Sequence, residues 1–266
     1  MDAETKELEL QKKIKEGQDL LKQTALTLIG SELANNPPSC DRCGGEMSWS
    51  GKLDGWCCVA CYERQQAHEA SRLAKARKRM LEQSGIGERF IGMTFSNYIP
   101  ENLAAEKILG ACKDYVDKFS PGSDSYLIFI GSPGTGKNML AAIIGQEIIK
   151  KDFHVVHTTA IKCVRQIKDS WRGKENSEQD VIDSFVRPDL LIIDEVGVQF
   201  GTPTEQLFLT EIINDRYERK KPMILISNCT LKQLEDLMGA RAIDRFHESN
   251  SQIFVFNWNS YRRKSK

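Results

Sequence analysis

From residue 126 onward the hydrophobic positions fall into five short runs: YLIFI (126–130), HVVHTT (154–159), LLIIDE (190–195), MILISN (223–228) and QIFVFNW (252–258). Each run has the length of a strand, and mostly unbroken apolar stretches are what strands buried on both faces require. Between them, residues 137–150, 160–172, 177–186 and about 203–220 read as helices. Strand and helix in turn predict an α/β domain on a five-stranded parallel sheet, covered by helices on both faces.

Upstream, Ala104, Ala105, Ile108, Leu109, Cys112, Tyr115 and Phe119 mark a first helix of that domain over 101–119. The glycines and proline of SGIGERFIGMTFSNYIP (84–100) supply a boundary, dividing the chain into residues 1–83 and 84–266. Residues 62–83 read as a linker helix with six basic residues against three acidic ones, a solvated face by default and a phosphate contact as the alternative. Leu10, Ile14, Leu21, Ala25 and Leu28 recur at helical spacing within 4–34, which predicts one or two amphipathic helices. Their apolar face either packs on the neighbouring domain or docks a partner protein.

Composition narrows the function classes. Lys plus Arg and Asp plus Glu are equal at 37 each among 266 residues, so net charge points to neither nucleic acid nor membrane, and any basic surface is local. No apolar run approaches a membrane span, and the charged N-terminus is no signal peptide, which predicts a cytoplasmic protein, associated with the nucleoid where it meets DNA. Five of the eight cysteines lie between 40 and 61. Cys40 with Cys43 and Cys58 with Cys61 form two C-x-x-C pairs, the spacing of a tetrahedral structural zinc. Cys57 is a fifth candidate, and the C-x-x-C spacing favours Cys58.

The chemistry of the larger domain lies at strand ends. GSPGTGKN, comprising Gly131, Ser132, Pro133, Gly134, Thr135, Gly136, Lys137 and Asn138, follows the first strand and opens a helix. Backbone N–H groups of such a loop and the helix dipole cradle phosphates, and Lys137 reaches the β and γ phosphates. The third strand ends in Asp194, placed to hold Mg²⁺, and Glu195, placed to activate the attacking water. Asn138 stands where a hydroxyl residue normally ligates Mg²⁺. Its carbonyl is a hard ligand on a longer arm, so ATP or ADP should bind while Mg²⁺ placement and hydrolysis stay weak. Asn228 ends the fourth strand, where it can orient water. Arg241 and Arg245 can reach a neighbouring subunit's nucleotide, and Arg262 can contact phosphate within the subunit. Arg165, Lys168, Arg172 and Lys174 surround Trp171, a mixture suited to single-stranded DNA, although a surface helix with a half-buried Trp reads the same way.

Together GSPGTGKN, LLIIDEVGVQ, ARAIDRF and FNWNSYR resemble the bacterial DnaC helicase-loader family over roughly residues 84–264. That family characteristically ends its P-loop in Gly-Lys-Asn. The resemblance implies an AAA+ P-loop ATPase that brings the hexameric DnaB-type replicative helicase onto single-stranded DNA, as part of the primosome, and self-assembles through its ATP sites. It assigns Lys137, Asp194 and Glu195 the Walker roles, Asn228 sensor 1, Arg245 the arginine finger and Arg262 sensor 2, with Arg241 on a further arginine of the motif. The cysteine cluster departs from the enteric pattern and is similar to the small zinc-binding domain of DnaI-type loaders, which engages the helicase. A phage or prophage loader would fit the mixture. Two other readings share the core: an IstB-like transposition helper ATPase acting on duplex DNA, and an adaptor that recruits or blocks the helicase without turnover.

Overall fold

The computed structural model describes residues 39–50, 55–173, 176–197, 203–239, 244–246 and 248–261. The amphipathic positions of 4–34, together with Lys174, Arg241 and Arg262, lie outside the described residues. The chain divides into two compact units, Met1–Ala74 and Lys75–Lys266, and the division falls within helix α1 (Val59–Gln83). The first unit holds an antiparallel pair, β1 (Ser48–Ser50) and β2 (Gly55–Cys57), with Ser48 opposite Cys57.

In the second unit, β3 (Ser125–Gly131) is buried from Tyr126 to Ile130. Its side chains alternate between two cores, as the period of a strand dictates. Leu127 and Phe129 join Leu140, Ile144, Ile148 and Ile192 on one face, while Tyr126, Ile128 and Ile130 join Ile167, Phe185 and Ile212 on the other. Each such buried aliphatic or aromatic side chain contributes about 1.5–3 kcal/mol. The first face is covered by α2 (Leu103–Asp117) and α3 (Lys137–Lys150). The second is covered by α4 (Ala160–Ser170), α5 (Glu178–Val186) and α6 (Pro203–Glu218). The remaining strands are β4 (Val155–Thr159), β5 (Leu190–Asp194), β6 (Met223–Ile226) and β7 (Asn250–Phe256). The sheet order is β4-β5-β6-β3-β7, with each neighbouring pair parallel.

Local chemistry sets the ends. Asn102 caps α2 by accepting from the Ala105 N–H at 2.8 Å. Ser177 with Asp180 forms a capping box on α5, and Thr230 with Gln233 forms another on α7 (Leu231–Met238). Helix α6 stops at Glu218, short of 220, because Lys220 turns left-handed at φ 50° and the Lys221 N–H returns to the Arg216 carbonyl at 2.8 Å. Strand β6 ends at Ile226; the Ser227 N–H still donates to the Phe129 carbonyl at 2.8 Å, and its hydroxyl donates to that of Val196 at 2.5 Å. The segment 84–100 is more than a boundary: the Ser84 carbonyl accepts the His157 N–H at 2.6 Å, extending the β4 edge, and Ser84, Ile86 and Tyr98 are buried. Among the described residues no helix is long and apolar enough to cross a membrane.

Candidate functional site

The P-loop leaves β3 at the sheet's carboxyl edge, where β3 lies between β6 and β7. Ligands of open α/β sheets bind at such edges. Gly131 has φ +121°, and a Cβ there would stand 2.3 Å from the Phe256 carbonyl oxygen, so the loop cannot start on any other residue without parting β3 from β7. Gly136, at φ +99°, admits the edge of the Tyr98 ring, with Cε2 2.6 Å from where its Cβ would be. The loop is braced from behind by the chain following β7. Trp258 Nε1 donates to the Thr135 carbonyl at 3.1 Å, and the Tyr261 N–H donates to that of Gly134 at 3.0 Å.

Lys137 is 3% exposed, and its Nζ donates to the carbonyls of Gly131 and Ser132, both at 2.7 Å. Burial lowers its pKa to about 8, opposed in part by the charge of Asp194. Asp194 ends β5 half-buried. Its Oδ1 accepts the Glu195 N–H at 2.7 Å and its Oδ2 accepts from Nδ2 of Asn138. Burial, the largest influence, raises the Asp194 pKa; the hydrogen bond from the Glu195 N–H opposes the rise and the Glu195 charge adds to it. Glu195 is exposed with φ +58°. A left-handed non-glycine residue costs roughly 1–2 kcal/mol, and here it turns the carboxylate out of the strand line into the cleft.

Lys137, Asn138, Asp194, Glu195 and Asn228 line one cleft of about 600 Å³. Its other wall is Arg89, Phe90, Tyr98, Ile99 and Tyr261. One end thus offers a buried cation, loop N–H groups and hard oxygen donors, which fit phosphates and a magnesium ion. The other offers aromatic and aliphatic surface, which fits a planar base. Sequence reading missed the part of this wall that lies in 84–100 because that segment carries no helical or strand period. Two residues outside the cleft hold it together. Gln146 on α3 accepts the Gly92 N–H and donates to the Phe90 carbonyl, both at 2.8 Å. Ser227 joins the loops after β5 and β6, accepting the Cys229 N–H at 3.0 Å while its hydroxyl reaches Val196.

The other candidates lie elsewhere. Arg245 is not among the cleft residues; it donates to Oδ1 of Asn214, lies 3.5 Å from Glu218 and stacks over Tyr217 at 5.0 Å. On α4 and its C-terminal turn, Arg165 and Arg172 are exposed, Lys168 pairs with Glu205 at 2.7 Å, and Trp171, 56% exposed, donates to Glu178 with its ring edge-on to Phe208.

In the first unit the sulfurs of Cys40, Cys43, Cys58 and Cys61 all lie within 4.8 Å of one another. The sulfur–sulfur separations are 3.7 Å for Cys40–Cys61 and 3.4 Å for Cys43–Cys58 and Cys43–Cys61. A tetrahedral metal with sulfur at about 2.3 Å has edges of about 3.8 Å, so the cluster fits a closed zinc site. Cys57 is outside the group. The Gly44 N–H closes the first knuckle on the Cys40 carbonyl at 2.7 Å, and Cys61 sits on the first turn of α1.

Residues 113–266 match the family model of IstB-like ATP binding proteins. Over 188 residues the chain is 36% identical to the replicative helicase loader DnaC of Buchnera aphidicola subsp. Baizongia pistaciae, covering 70% of this chain and 76% of that one. It is 33% identical over 201 residues to the DnaC of Escherichia coli K12, covering 76% and 82%. Among solved structures, the DnaC helicase loader superposes with TM-score 0.58 at 22% identity, over 64% of this chain and 99% of that one. DnaI superposes with TM-score 0.56 at 19% identity, over 64% and 94%. The fold is thus that of the AAA+ loaders, and the chain belongs to the IstB-like ATP-binding family and, within it, to the DnaC helicase loaders.

Proposed function

We propose that the chain is an ATP-dependent loader that binds a hexameric replicative helicase and delivers it onto single-stranded DNA during replication initiation or restart. One observation carries the reading: Lys137, Asp194, Glu195 and Asn228 converge on a single cleft in a chain of the DnaC family. In the reading, the P-loop N–H groups and Lys137 bind the phosphates, while Phe90, Tyr98, Ile99 and Tyr261 receive the base. Glu195 takes the proton of the attacking water, and Asn228 orients that water. Asp194 and Asn138 would hold Mg²⁺, which supplies charge neutralisation between the phosphates when bound. The substitution at Asn138 makes the ATPase weak, which suits a switch.

The reading gives residues 84–266 the ATPase role, with copies assembling through their ATP sites. Arg245, with Arg241, completes a neighbour's site, and Arg262 contacts phosphate within the subunit. Arg245 would first have to leave Asn214 and Glu218. Arg165, Lys168, Trp171 and Arg172 grip the single strand in the nucleoid, phosphates and bases displacing Glu205 and Glu178. Residues 1–83 form the helicase-docking part, held by zinc on the four cysteines. ATP favours the assembled, DNA-gripping state and hydrolysis releases it.

Native mass spectrometry of the chain with its host's replicative helicase, with and without ATP and a short single strand, tests this. The expected result is a defined complex with the helicase ring that captures the strand only with ATP. No complex in any condition, with tight binding to duplex DNA, would overturn it in favour of a transposition helper.

A further inference from the structure

Asn138 follows the P-loop lysine, and its contacts define a role beyond that of a poorer metal ligand. A hydroxyl can ligate a cation and donate its proton from one oxygen. A side-chain amide separates these abilities between Nδ2, a donor, and Oδ1, an acceptor, on one rigid plane. Here Nδ2 of Asn138 donates to Oδ2 of Asp194, while the Glu195 N–H donates to Oδ1 of the same carboxylate at 2.7 Å. The reverse amide orientation would set two acceptors against each other, so the carboxylate itself fixes which end of the amide it meets.

Each oxygen of the Asp194 carboxylate therefore has a donor from its own chain. Asp194 is half-buried beside the exposed carboxylate of Glu195, a place where negative charge needs an opposing partner. A divalent cation ordinarily supplies one in such sites. In this chain Asn138 and the Glu195 N–H supply hydrogen bonds, and the buried Lys137 ammonium adds its charge. A cation approaching Oδ2 has to displace the amide first.

We propose that Asn138 is a positioning residue that holds the Asp194 carboxylate in place of the metal, so that this chain binds adenine nucleotide with little dependence on magnesium. The proposal rests on the nucleotide reading of this cleft. Metal occupancy then becomes a separate, later step that releases Asp194 from Asn138, and nucleotide capture and hydrolysis respond to different conditions.

The test is a titration of full-length chain with fluorescent ADP and ATP, in EDTA and in magnesium, for wild type, Asn138→Thr and Asn138→Asp. Wild-type affinity should change by less than about threefold on adding magnesium, and that of Asn138→Thr should tighten by about tenfold or more. Asn138→Asp sets a second carboxylate against Asp194. It should bind nucleotide poorly in EDTA, recover with metal, and show a tight Mn²⁺ site by electron paramagnetic resonance that wild type lacks. Circular dichroism checks folding, and if one variant does not fold the other carries the comparison. Wild-type binding that needs magnesium by about tenfold or more, as in Asn138→Thr, would overturn the role of Asn138 and leave the ATP reading standing. No nucleotide binding by folded wild type in either condition would overturn the ATP reading and this inference with it.

Discussion

Replacing Lys137 by Arg separates the charge of the P-loop cation from its titration. In the free chain burial holds the Lys137 pKa at about 8 instead of 10.5. Bound phosphates favour the ammonium and raise that value again, so above neutrality binding must take up a proton. With a free-state pKa of about 8, roughly 0.9 of the chains carry the charge at pH 7 and roughly 0.1 at pH 9. Nucleotide affinity should therefore weaken about tenfold across that interval, or about 1.4 kcal/mol. Arg stays charged throughout, so Lys137→Arg, whatever its absolute affinity, should lose the slope. Fluorescent ADP titrated in EDTA from pH 7 to 9 gives the slope. Calorimetry in buffers of different ionisation enthalpy gives the proton uptake, about one half per nucleotide at pH 8. The same shift acts on folding in a defined direction. Between about 8 and 10.5 the unfolded chain binds more protons than the folded one, so this group makes stability rise with pH through that window. Equal slopes in wild type and Lys137→Arg, or no slope in wild type, would refute the reasoning.

Arg216 is fully buried, with Nη1 donating to the carbonyls of Phe185, Val186 and Pro188 at 2.9–3.0 Å and Nη2 to that of Pro222. Arg216→Met takes this donor from the Phe185, Val186 and Pro188 carbonyls, while Pro222 keeps the Leu191 N–H at 3.3 Å, and should cost about 3 kcal/mol, read as a lowered urea midpoint. Cys57→Ser should keep one zinc per chain by metal analysis, and Cys58→Ser should lose it; the opposite pair of results would move the ligand. Glu195→Gln should lower hydrolysis by about 10²-fold or more while nucleotide affinity holds, and an unchanged rate removes Glu195 as the base. Trp171→Ala should weaken single-strand binding by about 1–3 kcal/mol, whereas unchanged affinity makes Trp171 a surface residue held by Phe208 and Glu178.

How much of this was legible follows from where the signals lie. The strands could be placed because a sheet covered on both faces leaves mostly unbroken apolar runs. Lys137, Asp194 and Asn228 came with them, since each follows or ends one of those runs. Helix ends were less legible because they depend on single backbone conformations such as Lys220 at φ 50°, which no apolar period announces. The aromatic wall of the cleft was invisible for a related reason. Phe90 and Tyr98 sit at or beside the short 3₁₀ turns Glu88–Phe90 and Phe95–Asn97, and what places them is Gln146, more than forty residues away, together with the space left by Gly136. The choice of Cys58 over Cys57 was suggested by spacing, and it is one of geometry: Cys58 and Cys61 stand at the start of a helix, one turn apart, so both sulfurs can face the same knuckle.

Three residues that break local rules line the cleft, while the left-handed Lys220 and the buried Arg216 break them elsewhere. Lys137 is a buried ammonium, Glu195 is a left-handed acidic residue, and Asp194 is a half-buried carboxylate held by an amide. None of these is a cheap way to end a strand or begin a helix, and the nearby Ser227 and Trp258 show that the chain builds hydrogen-bonded supports around them. A sheet edge selected for stability alone would favour a capped helix start and a glycine or asparagine at the left-handed position. A carboxylate at 195 lines the cleft, at a cost the surrounding packing has to offset. The supports come from the far end of the sequence, through Trp258 and Tyr261 bonded to the P-loop carbonyls. These two bonds tie the P-loop backbone directly to the segment that follows β7.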